Sequence, residues 1–216
     1  VYRPSEDKYL TFEVERKTIE IPMVTSKMLD NNIGYVAVYE FEETTSEQFN
    51  QAIDALTAQG MKGLIIDLRD NPGGLVNSAT AILDRILSKD QLLVYTVDKN
   101  GKKQEEYTED DETINVPISV LINGNSASAS EIVSGCLQDY GKAKLVGTTS
   151  FGKGIVQYVL PLGDGSAIKL TSAKYYTPNG RNIHGTGIDP DVEVELNSDS
   201  ETDTQLEKAQ EIVLQE

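Results

Sequence analysis

Two short runs, Leu64-Ile65-Ile66-Asp67-Leu68 and Pro117-Ile118-Ser119-Val120-Leu121-Ile122, are apolar almost throughout and bounded by turn formers. Runs of this length and composition predict buried strands. Each is followed by a stretch with helical apolar spacing: Leu75, Val76, Ala79, Ile82, Leu83, Ile86 and Leu87 after the first, Ala129, Ile132, Val133, Cys136 and Leu137 after the second. Upstream, a strand from Ile33 to Tyr39 precedes a helix opened by Thr44 or Thr45, with Glu47 and Gln48 spaced as capping-box partners. That helix buries Phe49, Ala52, Ile53 and Leu56 and stops at Gly60. Strand and helix in alternation restrict the chain to an α/β layered domain with a mixed sheet.

Strand pairs are added at both ends of this core. Tyr9 to Ile21 reads as a strand interrupted by Pro22, and Leu92–Val97 with Gln104–Thr108 as a hairpin around Asn100-Gly101. Lys144–Gly147, Ile155–Leu162, Ala167–Tyr176 and Val192–Leu196 read as further strands. Residues 197–203 form a polar linker into a closing helix capped by Thr202, Asp203 or Thr204. The acidic run Glu109 to Glu112 reads as a solvated loop.

At 216 residues the chain can bury one sizeable core. Its net charge of −16 argues against nucleic acid and anionic membrane as partners, since both demand basic surface. The single cysteine, Cys136, excludes an internal disulfide and lies on an apolar helix stripe. With one histidine, His184, a zinc site of the His/Cys kind lacks ligands, and any Ser-His-Asp triad would have to use that residue. No apolar stretch is long enough to span a bilayer and no signal peptide is visible. The chain starts at Val1 without an initiator methionine, as a fragment would.

Three stretches carry chemistry. In Asn123-Gly124-Asn125-Ser126-Ala127-Ser128-Ala129-Ser130-Glu131-Ile132, a serine sits at a strand-to-helix turn. There it meets free backbone N–H groups and the positive end of a helix dipole, as suits a nucleophile whose attack creates an oxyanion. The same serines would also serve as plain N-caps. In Gly147-Thr148-Thr149-Ser150-Phe151-Gly152-Lys153-Gly154, a phosphate-binding loop fails by one residue, because Gly154 stands where a hydroxyl should hold magnesium and a strand follows instead of a helix. Lys153 is thus free for another role: a lysine withdrawn from water can act as a base, and serine–lysine pairs activate a hydroxyl without histidine. It would otherwise be a snorkelling strand-end lysine. Asp67-Leu68-Arg69-Asp70-Asn71-Pro72-Gly73-Gly74 ends a strand with glycines that let backbone N–H groups approach another chain closely, or simply makes a Pro-Gly turn. Asn197, Asp199, Glu201 and Asp203 alternate like a calcium loop but lack its central glycine.

Taken together, these stretches resemble the carboxyl-terminal processing, or tail-specific, serine proteases. The matching residues are 67–74, Ser126 to Ile132 and Phe151-Gly152-Lys153-Gly154-Ile155-Val156-Gln157. Lesser matches are Lys174 to Arg181 and Gly187-Ile188-Asp189-Pro190-Asp191. The resemblance implies a ββα spiral like that of crotonase and the Clp peptidase, with a mixed sheet and extra strand pairs. It implies Ser128 as nucleophile, Lys153 as general base, Gln157 as the residue that orients the lysine, and the N–H groups of Gly74 and Ala129 as the oxyanion hole. Asp139 matches an acidic position important in some members. Protein or peptide substrates, no metal or cofactor, and an extracytoplasmic location in a bacterial cell envelope or periplasm are implied with it.

One departure is large: the family's PDZ domain, which captures a substrate's C-terminal carboxylate, is not found in these residues. Residues 1–8 resemble the remnant of such a domain, so 1–216 reads as a single protease core with 197–216 as linker and closing helix. A PDZ domain is then expected in the full-length chain, and a homo-oligomer is left open. Two other classes stay in view, a peptide-holding scaffold that does not cut and a crotonase-type acyl-CoA enzyme. A Ser–Lys pair is needed by neither.

Overall fold

The computed structural model describes residues 1–17, 21–111, 113–196 and 202–215. In chain order its elements are β1 (Tyr2–Arg3), β2 (Lys8–Tyr9), β3 (Val24–Leu29), β4 (Ile33–Val38), α1 (Thr45–Ala58), β5 (Gly63–Asp67), α2 (Val76–Ile86), β6 (Leu92–Asp98) and β7 (Lys103–Tyr107). There follow β8 (Ile118–Ile122), α3 (Ala129–Asp139), β9 (Lys144–Gly147), β10 (Ile155–Pro161), β11 (Ala167–Tyr176), β12 (Val192–Glu193) and α4 (Thr204–Gln215).

The central sheet has the order β12-β9-β8-β5-β4-β3. Strands β4, β5, β8, β9 and β12 run parallel, and β3 closes the edge antiparallel, so the sheet is mixed. Alternation of side chains across the strands explains why the apolar runs are unbroken. Leu64, Ile66, Ile118, Val120 and Ile122 pack on one face with Phe49, Ile82, Leu83, Ile132 and Val133 from α1, α2 and α3. Their neighbours Ile65, Leu121 and Val146 face the other way, against Ala209 and Val213 of α4. A second, antiparallel sheet, β10-β11-β6-β7, stands beside the first and leaves β10 as a free edge.

The core elements and the closing helix lie where the sequence puts them, and the N-terminal strand does not. The strand expected over Tyr9 to Ile21 is not found where it can be described: β2 stops at Tyr9 and residues 11–17 are exposed with no partner strand among the described residues, while 18–20 lie outside them. The strand on that side is β3, whose Val-Thr-Ser-Lys-Met-Leu carries too little apolar pattern to announce itself. The Val192–Leu196 alternation pairs over two residues only. Helix α1 starts after Thr44 without a side-chain cap bond: Glu47, at the capping-box position, accepts the Gln51 amide instead, and Gln48 turns its Oε1 to the N–H groups of Met23 and Val24 (2.8 and 3.1 Å) and so fastens β3. Asn197, Asp199, Glu201 and Glu112 lie outside the described residues.

Among the three caps open for α4, Asp203 is the one used. Its Oδ1 accepts the Leu206 N–H at 3.0 Å. The same carboxylate takes two hydrogen bonds from Arg69, 3.0 Å from Nη1 and 2.8 Å from Nη2. Arg69 in turn grips Asp67 at the end of β5 (Nη2 to Oδ2 2.6 Å), whose Oδ2 also accepts the Tyr35 hydroxyl at 2.7 Å. This clasp joins the closing helix to the loop leaving β5. Burial alone would raise the Asp203 pKa, but the bonds from Arg69 and from the Leu206 backbone outweigh it and hold the carboxyl below its ordinary range.

A depressed carboxyl pKa stabilises the fold above the unfolded value of about 3.9, and the contribution is lost as pH falls through the lower folded value. Amide protection of α4 should therefore be high near neutral pH and fall below about pH 4, ahead of the β5 and β8 core. Asp203→Asn should lower α4 protection at neutral pH as well. Equal protection of α4 in the variant and the parent at neutral pH would show that the clasp does not hold the helix.

Candidate active site

The parallel strands β5 and β8 end side by side, and the loops that leave them are tied together. Asp70 Oδ1 accepts the side-chain amides of Asn123 (3.0 Å) and Asn125 (2.8 Å). Ser126, fully buried, gives its hydroxyl to the Leu68 carbonyl at 2.7 Å. Ser130, equally buried, gives its own to the Asn71 carbonyl at 3.0 Å. Two of the three clustered serines are thus spent on structure. Ser128 remains partly accessible at the first turn of α3.

The Ser128 backbone adopts φ 57°, ψ −112°, a region that a residue bearing a Cβ seldom occupies and that persists only where surroundings enforce it. Here they do. Its N–H donates to Glu131 Oε2 at 2.8 Å, and its carbonyl accepts the Tyr175 hydroxyl at 3.0 Å. Burial, and after it the nearby Glu131 carboxylate, push the Tyr175 phenol up, so it stays a donor. The N-cap and nucleophile readings of Ser128 turn out to be compatible, since the N-cap position is what exposes its side chain.

The glycine pair lies directly against this turn. A Cβ on Gly73 would stand 2.7 Å from the Ser128 Cβ and 2.9 Å from the Ala129 nitrogen, so only glycine permits the approach. The buried Asn71 shapes the loop, donating to the Val38 carbonyl (2.8 Å) and accepting the Gly73 N–H (2.9 Å). Phe41 flanks the loop on its other side: its N–H donates to the Gly73 carbonyl, and its own carbonyl accepts the Leu75 N–H. Between these anchors the Gly74 N–H donates to no described residue, and neither does the Ala129 N–H.

The lysine segment reaches the same place through Glu131. This carboxylate is fully buried and accepts four hydrogen bonds. Oε1 takes the Ser150 hydroxyl (2.6 Å) and the Gly152 N–H (2.7 Å). Oε2 takes the Ser128 N–H and the Lys153 N–H (2.9 Å). One oxygen atom therefore holds the backbones of Ser128 and Lys153 together. Behind the segment, Gly154 abuts the His184 backbone so closely that a Cβ would lie 2.6 Å from its nitrogen. Lys153 is half-buried, and its ammonium has neither a hydrogen bond nor an ion pair among the described residues.

The other expected residues are placed as follows. Gln157 lies on β10 with its amide on the Thr171 hydroxyl at 3.2 Å, not on Lys153, and lines the cleft that Gly74 also lines. Asp139 is at the far end of α3, about 16 Å from Ser128 along the helix axis. There it pairs with Arg181 and accepts the Asn179 N–H at 2.8 Å, fixing the turn after β11. His184 is exposed, and its contribution is backbone packing. Glu131 and Tyr175 were not singled out by the sequence. Ser128-x-x-Glu131 does have capping-box spacing, the one local signal that would have found the glutamate. No group of three or more His, Cys, Asp or Glu among the described residues could hold a metal. Nor is any described helix long and apolar enough to cross a membrane.

Comparison with known proteins gives this arrangement a context. Residues 32–194 match Peptidase family S41. The carboxy-terminal processing protease CtpB of Bacillus subtilis is 40% identical over 199 residues, 90% of this chain and 41% of that protein. A carboxy-terminal-processing protease of Bartonella bacilliformis is 42% identical over 198 residues, 88% of this chain and 44% of the relative. Among solved structures, a photosystem II D1 C-terminal processing protease superposes with a TM-score of 0.74 at 30% identity, covering 92% of this chain and 54% of that one. The chain thus spans about two-fifths of the length of the relatives it matches.

The Glu131 network predicts that Glu131→Gln, almost the same size, is costly, because an amide NH₂ would face N–H donors. The expected loss is about 3 kcal/mol, read as a lowered denaturation midpoint. Tyr175→Phe should cost about 1 kcal/mol and leave the fold intact. A Glu131→Gln protein as stable as the parent would show that the carboxylate does not organise the site.

Proposed function

This chain belongs to peptidase family S41, and from that premise we propose that it is the core of a serine endopeptidase working through a Ser128–Lys153 dyad. The observation that carries the reading is the shared oxygen of Glu131, which joins the backbones of a strained, partly accessible serine and a half-buried lysine whose side chain has no partner among the described residues. Supporting it, the Gly73-Gly74 loop lies against Ser128, and the N–H groups of Gly74 and Ala129 donate to no partner among the described residues.

In the reaction, the Lys153 side-chain nitrogen takes the Ser128 hydroxyl proton as Oγ bonds to the scissile carbonyl carbon. The carbonyl oxygen gains negative charge, which the Gly74 and Ala129 N–H groups stabilise. The lysine then passes its proton to the leaving amine as the C–N bond breaks, giving an acyl-enzyme. Water attacks this ester, Lys153 again accepts the proton, and protonation of Oγ releases the acid. Gln157, whose amide is engaged with the Thr171 hydroxyl, is proposed to orient the lysine as the family resemblance implies, which requires it to leave Thr171.

Substrate choice is the part that belongs to the longer protein. We take the substrates to be proteins selected by their C-termini through a PDZ domain in the full-length chain, in the extracytoplasmic setting that the family resemblance implies. Asp139 is proposed as an accessory residue acting on the fold, through Arg181, rather than on substrate.

Reaction with a fluorophosphonate, located by peptide mass mapping, tests the assignment. Label should fall on Ser128 alone, and Ser128→Ala should abolish both label and casein cleavage. Lys153→Arg should lower cleavage by at least 10²-fold, since a guanidinium cannot accept the proton. A Lys153→Arg protein cutting at the parental rate would remove the lysine from the mechanism, and a folded protein that takes no label would favour a non-cleaving scaffold.

A further inference from the structure

The cleft that Gly74 lines has a volume of about 690 Å³ and lies over one face of the antiparallel sheet. Side chains alternate between the faces of a strand, and residues paired across two strands share a face. Val156 pairs with Ala173, Ala173 with Asp98, and Val94 with Glu106, so these residues share the face that the cleft covers. Tyr175, two positions on from Ala173, points the same way, and its hydroxyl on the Ser128 carbonyl sets the serine turn above β11. From β11 across β6 to β7 is two strand spacings, about 10 Å. The cleft thus leads from the serine turn and Gly74, past apolar walls at Leu75, Val94 and Val156, to the exposed Glu106 on β7.

The charges along this cleft are not matched. Asp98 is turned into its own hairpin, where its Oδ1 accepts the N–H groups of Lys102 (2.9 Å) and Asn100 (2.8 Å). Those two bonds, and after them the Lys102 charge, hold the Asp98 carboxyl below its ordinary range. On the opposite face, Glu105 has a cation of its own, Lys103 at 2.6 Å, whose ammonium also stands 4.0 Å from the centre of the Tyr95 ring. Of the two carboxylates lining the cleft, Glu106 alone has neither hydrogen bond nor ion pair among the described residues. A lone carboxylate at the end of an apolar-walled cleft favours a cationic head on whatever enters it. The excess of 35 acidic over 19 basic residues in the chain acts in the same direction.

We infer that Glu106 is a specificity-determining residue: the cleft takes the side chain of the residue bearing the scissile carbonyl, and Glu106 selects a long basic one, lysine or arginine. This rests on the peptidase reading above, which puts that carbonyl at the Gly74 N–H. The aliphatic stem lies along Leu75, Val94 and Val156 while the cationic head reaches Glu106, the division that lysine and arginine make wherever apolar surface borders a polar rim. An acidic side chain meets like charge at Glu106, and Lys102 offers it little because Asp98 already opposes that ammonium. A short side chain leaves most of the cleft unfilled.

Quenched fluorescent peptides that differ only at the residue before the cut test the inference in the full-length protein, with products identified by mass spectrometry. Lysine is compared with norleucine, which has the same stem without the amine, and with glutamate. The expected result is a kcat/KM for the lysine peptide at least about fivefold above norleucine, with glutamate lowest. In Glu106→Gln the lysine-to-norleucine ratio should fall below about twofold, and in Glu106→Lys the glutamate peptide should overtake the lysine one. Each ratio is taken within one protein, so a change in the folded fraction cancels from it. The comparison in the parent needs no variant at all. Equal rates for lysine and norleucine in the parent, a ratio kept in full by Glu106→Gln, or cuts that do not follow the lysine would each overturn the assignment. Fluorophosphonate label on Ser128 of the parent without a lysine preference would remove this inference and leave the dyad standing. Absence of both label and cleavage in the parent would overturn the peptidase reading itself.

Discussion

A carboxylate buried without a cation costs several kcal/mol in desolvation unless hydrogen bonds replace the lost water. Glu131 meets that demand with four donors, and none of the four comes from a positively charged group. The donors belong to two segments far apart in sequence, Ser128 at the start of α3 and Ser150, Gly152 and Lys153 in the loop entering β10. If the loop moved away, the carboxylate would lose three of its partners. The active-site geometry is thereby coupled to a single electrostatic requirement. The strain at Ser128 is sustained in the same way, by Glu131 on its N–H and Tyr175 on its carbonyl.

Around this centre the fold supplies rigid borders. Parallel β5 and β8 deliver the glycine loop and the serine turn from adjacent strand ends, where an α/β sheet ordinarily exposes its sites. The loop from β5 is anchored twice, at Asn71 beneath Ser128 and at Arg69 against the cap of α4. The lysine loop is backed by the turn at His184 to Gly187 and bonded to it through Ile188 N–H on Ser150 Oγ. Gln157 is the exception. It sits on the edge strand with a weakly held amide, and the network that fixes Ser128 and Lys153 does not reach it.

The core of this arrangement was legible in the sequence because it depends on local patterns. Buried parallel strands read as unbroken apolar runs, and the strand-to-helix turn at Ser128 needs only the residues around it. What escaped depends on contacts across the chain. β3 is a strand because β4 and Gln48 make it one, not through its own composition. Tyr9 to Ile21 has the alternation of a strand but no partner for it among the described residues. Tyr175 acts through a hydroxyl at the end of a long strand, 47 residues from the carbonyl it holds, and nothing local marks it. Glu131 was written in the capping-box spacing, yet that motif predicts one hydrogen bond and not the three that arrive from the other loop.

The central claim is that Ser128, Lys153 and the N–H groups of Gly74 and Ala129 converge on one reacting carbonyl, and a crystal structure of a peptide boronate adduct would test it directly. The expected result is boron bonded to Ser128 Oγ, one boronate oxygen about 3 Å from both the Gly74 and the Ala129 nitrogens, and the Lys153 amine within hydrogen-bond reach of Oγ. An adduct on another residue, or a boronate oxygen directed away from the glycine loop with the lysine turned to solvent, would contradict it.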